Sequence, residues 1–417
     1  MSDKKTVQPT GLSRREFLRA AGIAAGAVAA APLLSACGPF VGGRATGPVK
    51  IGILLPYSDI YAVLGESITA AMEMYFEEVG NEAGGRKIEL IKEDTEIKPD
   101  VAQQKARKLV EQDEVDLVAG IVSSGVLLAL RDYFDANKKL LICANAGANP
   151  ISRDRKTPYI WRTSFSNWQP NWPTGKWAAE NVGKRAFISV PDYAAGENTI
   201  TAFAHSFVNA GGEVIGVQRT PFPNMGDPAP FMAEIADANP DLVYAFYSGG
   251  AAVTFVKAYA DFGLAGKIPL LSSGFMVEED VLPAQGEAAL GVRSGLHWAL
   301  LLDNETNKRF REAYKARTGR EPNVFAVQGY DTARVIVEML NKVEGDTSNV
   351  DKMIEVLPDI QFDSPRGPFK FDAKSQNPSQ HIYLREVREV DGELHNVIIE
   401  DMGEITDPGD NSKDLQV

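Results

Sequence analysis

The sequence predicts an α/β protein made of two similar lobes, and three observations carry that prediction. Short apolar runs alternate with stretches whose apolar residues recur every three and four positions, the pattern of strands and helices in a mostly parallel sheet covered on both faces. The pattern runs from residue 49 to 144, breaks, and begins again at 185. Once an N-terminal leader is set apart, about 380 residues remain, more than the roughly 250–300 at which a single core usually stops growing.

The first copy opens with a strand at 49–56, Val-Lys-Ile-Gly-Ile-Leu-Leu-Pro. A helix follows over 65–80, where Ile68, Ala71, Met72, Tyr75, Phe76 and Val79 make one apolar stripe. A turn at 81–85 leads to a strand at 88–93, a helix at 100–111, a strand at 117–121, a helix at 125–137 and a strand at 140–144. The stretch 157–173, with Trp161, Trp168, Trp172 and several prolines, reads as a stiff crossover between lobes.

The second copy has strands at 185–190, 213–217, 242–247, 268–272 and 292–296, with helices at 196–210, 230–238 and 250–262 between them. Amphipathic helices at 304–318, 324–343 and 351–357 start no new domain and are expected to finish the first lobe. A Gly/Pro-rich segment at 361–371 precedes strands at 381–390 and 394–401, which flank the turn Asp391-Gly392. The tail from Ile405 is polar and expected to fray.

The leader reads as an export address. Arg14-Arg15 precede an Ala/Gly/Leu-rich run from 20 to 34, shorter than the roughly 20 apolar residues a membrane span needs. Leu34-Ser35-Ala36-Cys37 then resembles a bacterial lipobox, so residues 1–36 are expected to be removed as a signal peptide and Cys37 acylated. Residues 37–47 become a tether that holds the protein on the periplasmic side of the membrane.

The whole chain carries a net charge of −13, and loss of its cationic leader makes the remainder more acidic still. An acidic exterior repels phosphate backbones, which argues against nucleic acid as a partner. Cys143 is the other cysteine of the chain, so no internal disulfide is expected; its setting, Leu140-Leu141-Ile142-Cys143-Ala144, is that of a core thiol.

Catalytic patterns do not emerge. His205, His297, His381 and His395 are scattered without a second ligand at metal spacing, so no metal site is expected. Gly120-Ile121-Val122-Ser123-Ser124-Gly125 follows a strand but lacks the lysine and glycine spacing of a phosphate loop. The carboxylates of Glu77-Glu78 and Glu278-Glu279-Asp280 read as solvated faces, and nothing calls for a cofactor.

What the sequence does offer is a series of small polar loops after strands, where open α/β sheets bind ligands. Ser123-Ser124-Gly125 opens a helix, and its free amides and two hydroxyls suit a carboxylate; simple N-capping is the alternative role. Asn145, Gly147 and Ala148 follow the next strand with side chains small enough for close approach. Tyr193, Tyr247, Ser248, Ser272, Ser273, Gly274 and Phe275 hold the matching positions in the second copy, and Trp168 adds a flat wall.

These loops stand among further segments in a familiar order. They include Lys50-Ile51-Gly52-Ile53-Leu54-Leu55-Pro56, Gly65 with its helix, Asn145 to Pro150, Trp161-Arg162-Thr163, Asp192-Tyr193-Ala194-Ala195-Gly196, Asn239-Pro240-Asp241 and Gly329-Tyr330-Asp331. From about 49 to about 399 the chain resembles the branched-chain amino acid binding proteins, type I periplasmic solute receptors with leucine and amide receptors as relatives. The resemblance implies two Rossmann-like lobes joined by three crossover segments. Lobe one is then 48–166 with 298–376, lobe two 167–297 with 377–402, and 403–417 a tail. It also implies a ligand enclosed at the crease, delivery to an ABC permease in the inner membrane, and no reaction.

Carried over residue by residue, the resemblance narrows the ligand. The carboxylate-binding serine falls on Ser123 or Ser124, but the threonine falls on Ala148, the ammonium-binding acid on Gly274, and a tyrosine on Ala195. The carboxylate grip is kept and the ammonium grip is lost, which favours a carboxylate with an apolar or aromatic body unless Glu278 or Glu279 replaces the acid. An amino acid or amide receptor of the same family, a ligand-sensing surface protein, and an enzyme working in the same crease remain the alternatives.

Overall fold

The computed structural model describes residues 47–409; the twin arginine, Cys37 and residues 410–417 lie outside that range. The first sheet is centred on β1 (Val49–Leu55), whose side chains are buried apart from the partly exposed Lys50. It pairs in parallel with β3 (Arg86–Asp94) on one side and β4 (Leu117–Gly120) on the other. With β2 (Glu82–Ala83), β5 (Leu141–Cys143) and β6 (Ile160–Arg162) the order is β2-β3-β1-β4-β5-β6. Helices α1 (Ala62–Glu78), α2 (Pro99–Arg107), which ends in a π-helical turn, and α3 (Ser124–Ala136) are the intervening crossovers. Cys143 is fully buried, and burial pushes its thiol up to about 11, the behaviour of a core cysteine.

The second sheet repeats the plan with β7 (Arg185–Pro191), β8 (Glu213–Thr220), β9 (Leu242–Ala245), β10 (Leu270–Ser273) and β11 (Arg293–Leu296), all parallel. Helices α4 (Trp168–Asn181), α5 (Ala194–Asn209), α6 (Ala229–Ala238) and α7 (Gly250–Asp261) belong to it, with a single turn α8 (Leu282–Gln285) after β10. The chain then forms α9 (Glu305–Thr318), α10 (Val324–Lys342) and α11 (Val350–Glu355). α9 and α10 pack on α1, so the late helices do complete the first lobe. Gly329 permits that approach: a Cβ there would lie 2.2 Å from the carbonyl oxygen of Ile68.

Three segments depart from the sequence reading. The stretch 157–173 is not a plain connector, since β6 occupies its start and α4 begins at Trp168. The segment 361–371 forms an antiparallel pair, β12 (Gln361–Ser364) with β13 (Gly367–Asp372). Its β13 continues onto β14 (Asn377–Val390), which pairs antiparallel with both β11 and β15 (Glu393–Ile405). Beyond Ile405 the chain is still held: the buried Asp407 carboxylate lies 3.6 Å from Arg153.

The crossings are laced by buried polar groups. Arg366 pairs with Asp331 at 2.9 Å and donates to the carbonyl of Ser164 and to Gln380. Gln169 donates to the carbonyl of Pro378 and accepts from Asn377. Such buried networks hold segments in one arrangement, because breaking a bond strands a desolvated partner.

Candidate functional site

The carboxyl ends of both sheets face one another across a crease, and the loops after the strands build its walls. After β4, Ile121 is held at φ 67 by bonds from its amide to Leu54 and from Ala146 to its carbonyl, a conformation strained for a β-branched residue. That turn sends Val122, Ser123 and Ser124 into the N-terminus of α3. Ser123 takes the N-cap position without making a side-chain cap bond, and it is not among the residues that line the cavity described below. The Ser124 hydroxyl accepts from Asn167 at 3.3 Å.

A small cavity lies between the lobes. Ser124, Asn145, Gly147, Tyr193, Ala195 and Phe275, all singled out in the sequence, line it. So do Ser248 and the unanticipated Tyr61, Phe165, Asn167, Phe246 and Phe325. No charged side chain is among the lining residues. Tyr193 stacks on Phe222 with ring centres 4.2 Å apart, and Phe165 meets Phe275 at 4.8 Å. The hydroxyls of Tyr61 and Tyr193 join the two lobes over the cavity.

Other expected residues stand elsewhere. The Ala148 side chain is buried, with its carbonyl engaged by Arg162. Trp168 stacks on Trp172 at 4.9 Å instead of walling the cavity. Tyr247 turns into the second lobe's core, where its ring lies against Phe255 and its hydroxyl bonds Ser189 at 2.8 Å. Ser272 and Ser273 are buried at the end of β10.

The position expected for an ammonium-binding acid cannot hold one. A Cβ on Gly274 would lie 2.5 Å from Leu296 Cβ and 2.7 Å from Arg385 Nη2. Nor do the neighbouring acids substitute, and they are not the solvated face the sequence suggested. Glu278 is fully buried, paired with Arg385 at 2.9 Å and accepting from the Val324 amide. Glu279 and Asp280 face a second, larger interlobe cavity together with Tyr314, Arg320 and His395. Burial, and then the charge of Glu278, pushes Glu279 up to about 8 and Asp280 to about 7. Among the described residues no group of His, Cys, Asp and Glu has metal-binding geometry, and no helix is long and apolar enough to cross a membrane.

Two α/β lobes closing on a crease cavity define a solute receptor, and the comparisons agree. Residues 48–393 match the family model for periplasmic binding proteins. The Leu/Ile/Val-binding protein homolog 6 of Brucella melitensis is 33% identical over 368 residues, covering 87% of this chain and 93% of the relative. A solute-binding protein of an ABC transporter from R. palustris, solved in complex with benzoate, superposes with a TM-score of 0.82 at 37% identity, covering 87% of this chain and 99% of that one. Another, from Rhodopseudomonas palustris BisB5 in complex with 3,4-dihydroxy benzoic acid, gives 0.83 at 33% identity with the same coverages. The chain belongs to the periplasmic binding protein family, with the type I fold of Leu/Ile/Val-binding proteins. It is an extracytoplasmic solute-binding protein of the kind that serves ABC importers.

Proposed function

We propose that this chain captures a small aromatic carboxylate and delivers it, enclosed between the lobes, to the permease of an ABC importer. The observation that carries the ligand class is the cavity wall: Tyr61, Phe165, Tyr193, Phe246, Phe275 and Phe325 supply rings, and no acid faces them. A buried ammonium without an acceptor would cost several kcal/mol, whereas a carboxylate finds the free amides at the N-terminus of α3 and the hydroxyls of Ser124 and Ser248. The benzoate and dihydroxybenzoate held by the two solved relatives support the same class. Ser123, Ser124, Asn145, Gly147, Tyr193, Ala195 and Phe275 are the proposed contacts. Closure does the work, since a ligand that binds the shut form better shifts the population toward it.

Calorimetric titration against benzoate and against the pairs phenylpropionate/phenylalanine and 4-methylpentanoate/leucine tests this. The acids are expected to bind and the amino acids not; tight binding of the amino members alone overturns it. We take the lobes to be 48–166 with 298–376 and 167–297 with 377–402; sheet membership supports this division except at 361–372, where β12 and β13 join β14 of the second sheet. We further infer twin-arginine export and lipid anchoring at Cys37, supported by the order of the two leader motifs. Cys37→Ala is expected to release the protein from the membrane fraction into the periplasm, and an unchanged membrane fraction counts against the anchor.

A further inference from the structure

The second, larger cavity between the lobes gathers more acids than cations. Its first-lobe wall holds Tyr314, Arg320 and Glu321, and its second-lobe wall Glu279, Asp280, Glu393 and His395. Among the described residues that line it, four carboxyls therefore stand against one guanidinium. That guanidinium, Arg320, is exposed, while Glu321 is already engaged by Lys315 at 2.7 Å and Arg311 at 3.5 Å. His395 leans to the exposed Glu393, with 3.7 Å between Nε2 and the carboxylate.

The loop that carries Glu279 and Asp280 is seated on the first lobe. Its Glu278 takes the buried guanidinium of Arg385 with one oxygen and, with the other, the amide of Val324 at the start of α10. Glu279 has Asn396 as its donor, Nδ2 standing at 3.2 Å, and Asp280 Oδ1 is buried without a hydrogen bond from the described residues. An ionised carboxylate so placed loses water without gaining a cation, and it stands beside the charge of Glu278; the protonated acid is neutral and carries a donor of its own. Tyr314 does not change this balance, since burial raises its phenol and keeps it neutral. Burial and Glu278 accordingly raise Glu279 to about 8 and Asp280 to about 7.

We infer that closing the lobes on a ligand takes up protons from solvent at Glu279 and Asp280, so that capture is coupled to pH. Each carboxylate binds one proton as the first-lobe wall comes over it and returns that proton when the lobes part. The inference rests on the closure described above and adds a control that the ligand contacts do not give, because neither acid lines the ligand cavity. With the lobes apart both acids stand in water, in the ordinary carboxylate range of about 4, so the open form releases its protons first. Affinity is then greatest in acid and falls as pH climbs through about 7 and about 8, where the closed form releases its own.

Calorimetric titration of the purified chain with benzoate, which stays ionised throughout, at pH 5.5 and pH 8 tests this. Benzoate is expected to bind about tenfold or more tightly at the lower pH. Titrations at pH 6.5 in buffers of different ionisation enthalpy should show about one to two protons taken up per benzoate bound. In the double variant Glu279→Gln with Asp280→Asn, whose amides match the protonated acids in size, the affinity should become nearly independent of pH and the uptake should vanish. Benzoate binding without proton uptake by the unaltered chain overturns the coupling and leaves the aromatic-carboxylate reading intact. Uptake undiminished in the double variant overturns it as well, since His395 or another group then carries the protons. Binding at neither pH overturns the ligand reading and this one with it. Should the double variant not fold, Glu279→Gln and Asp280→Asn singly carry the assignment, each expected to lower the uptake by up to about one proton.

Discussion

The hydroxyl groups of Tyr61 and Tyr193 meet at 3.2 Å across the crease, one from a turn before α1 and the other from the N-cap of α5. Burial pushes the Tyr61 phenol up to about 12 and the Tyr193 phenol well above its ordinary value, so both stay neutral and the bond is a phenol–phenol one at any physiological pH. Because it joins the two lobes, it stabilises the shut form. Tyr61→Phe should therefore weaken ligand binding about three- to tenfold, matching the roughly 1 kcal/mol of a neutral hydrogen bond. Stopped-flow measurements should find the loss in the dissociation rate, with the melting temperature of the unliganded protein little changed. An unaltered dissociation rate would show that the contact does not hold the crease shut.

The alternation that sets the fold was readable because each parallel strand is a short apolar run and each crossover helix keeps a stripe. α4 escaped notice because Pro170 and Pro173 lie near its start; a proline in the first turn costs no bond, and Pro173 forfeits one that the surrounding packing outweighs. Ser124, Asn145 and Gly147 were found because ligands gather beyond the carboxyl ends of strands. Tyr61, Phe165, Phe246 and Phe325 were not, since an aromatic among apolar neighbours reads as core. The choice of Tyr247 over Phe246 shows how narrow the margin is. Successive residues of an extended chain face opposite sides, so a step of one exchanges cavity wall for core.

Gly274 falls where the sequence resemblance leads one to expect an acid, and its surroundings make such a side chain costly. A side chain there collides with Leu296 and with the guanidinium of Arg385. Gly274→Asp should destabilise the fold by about 1–3 kcal/mol, as overpacking does, without creating leucine or phenylalanine binding. Urea denaturation measures the first and calorimetry the second. Gain of amino acid binding with unchanged stability would mean the acid's seat had been retained.

Glu278 and Arg385 form a pair with neither side chain exposed, and Arg385 also donates to the carbonyls of Gly274 and Trp298. The pair therefore ties the loop after β10 to the crossing after β11. Arg385→Met alone strands the Glu278 carboxylate and should cost about 3–5 kcal/mol. Pairing it with Glu278→Met should recover much of that loss, since apolar replacement of both partners is often close to neutral. Equal losses in the single and double variants, read by urea denaturation, would show that the carbonyl bonds and not the charge pair carry the stability.

Glu279 and Asp280 give the protein a stability that falls with rising pH. Their folded pKa values of about 8 and about 7 lie above the ordinary carboxylate range, raised by burial and by Glu278, whose own pKa burial also raises. A folded state that holds protons the unfolded chain has released is favoured while those protons stay bound. The contribution is full below about pH 4, where both states are protonated, and is lost as pH climbs through the folded values near 7 and 8. Glu279→Gln removes one of these titrations, so its melting temperature relative to the unaltered protein should rise between pH 5 and about pH 8 and level off above it. Comparing the two proteins at each pH cancels the opposing trend from carboxylates such as Glu93, which Lys105 and Lys108 hold below their usual range. A difference independent of pH would mean that Glu279 is ionised in the folded protein throughout, and that its cavity is wet enough to solvate the charge.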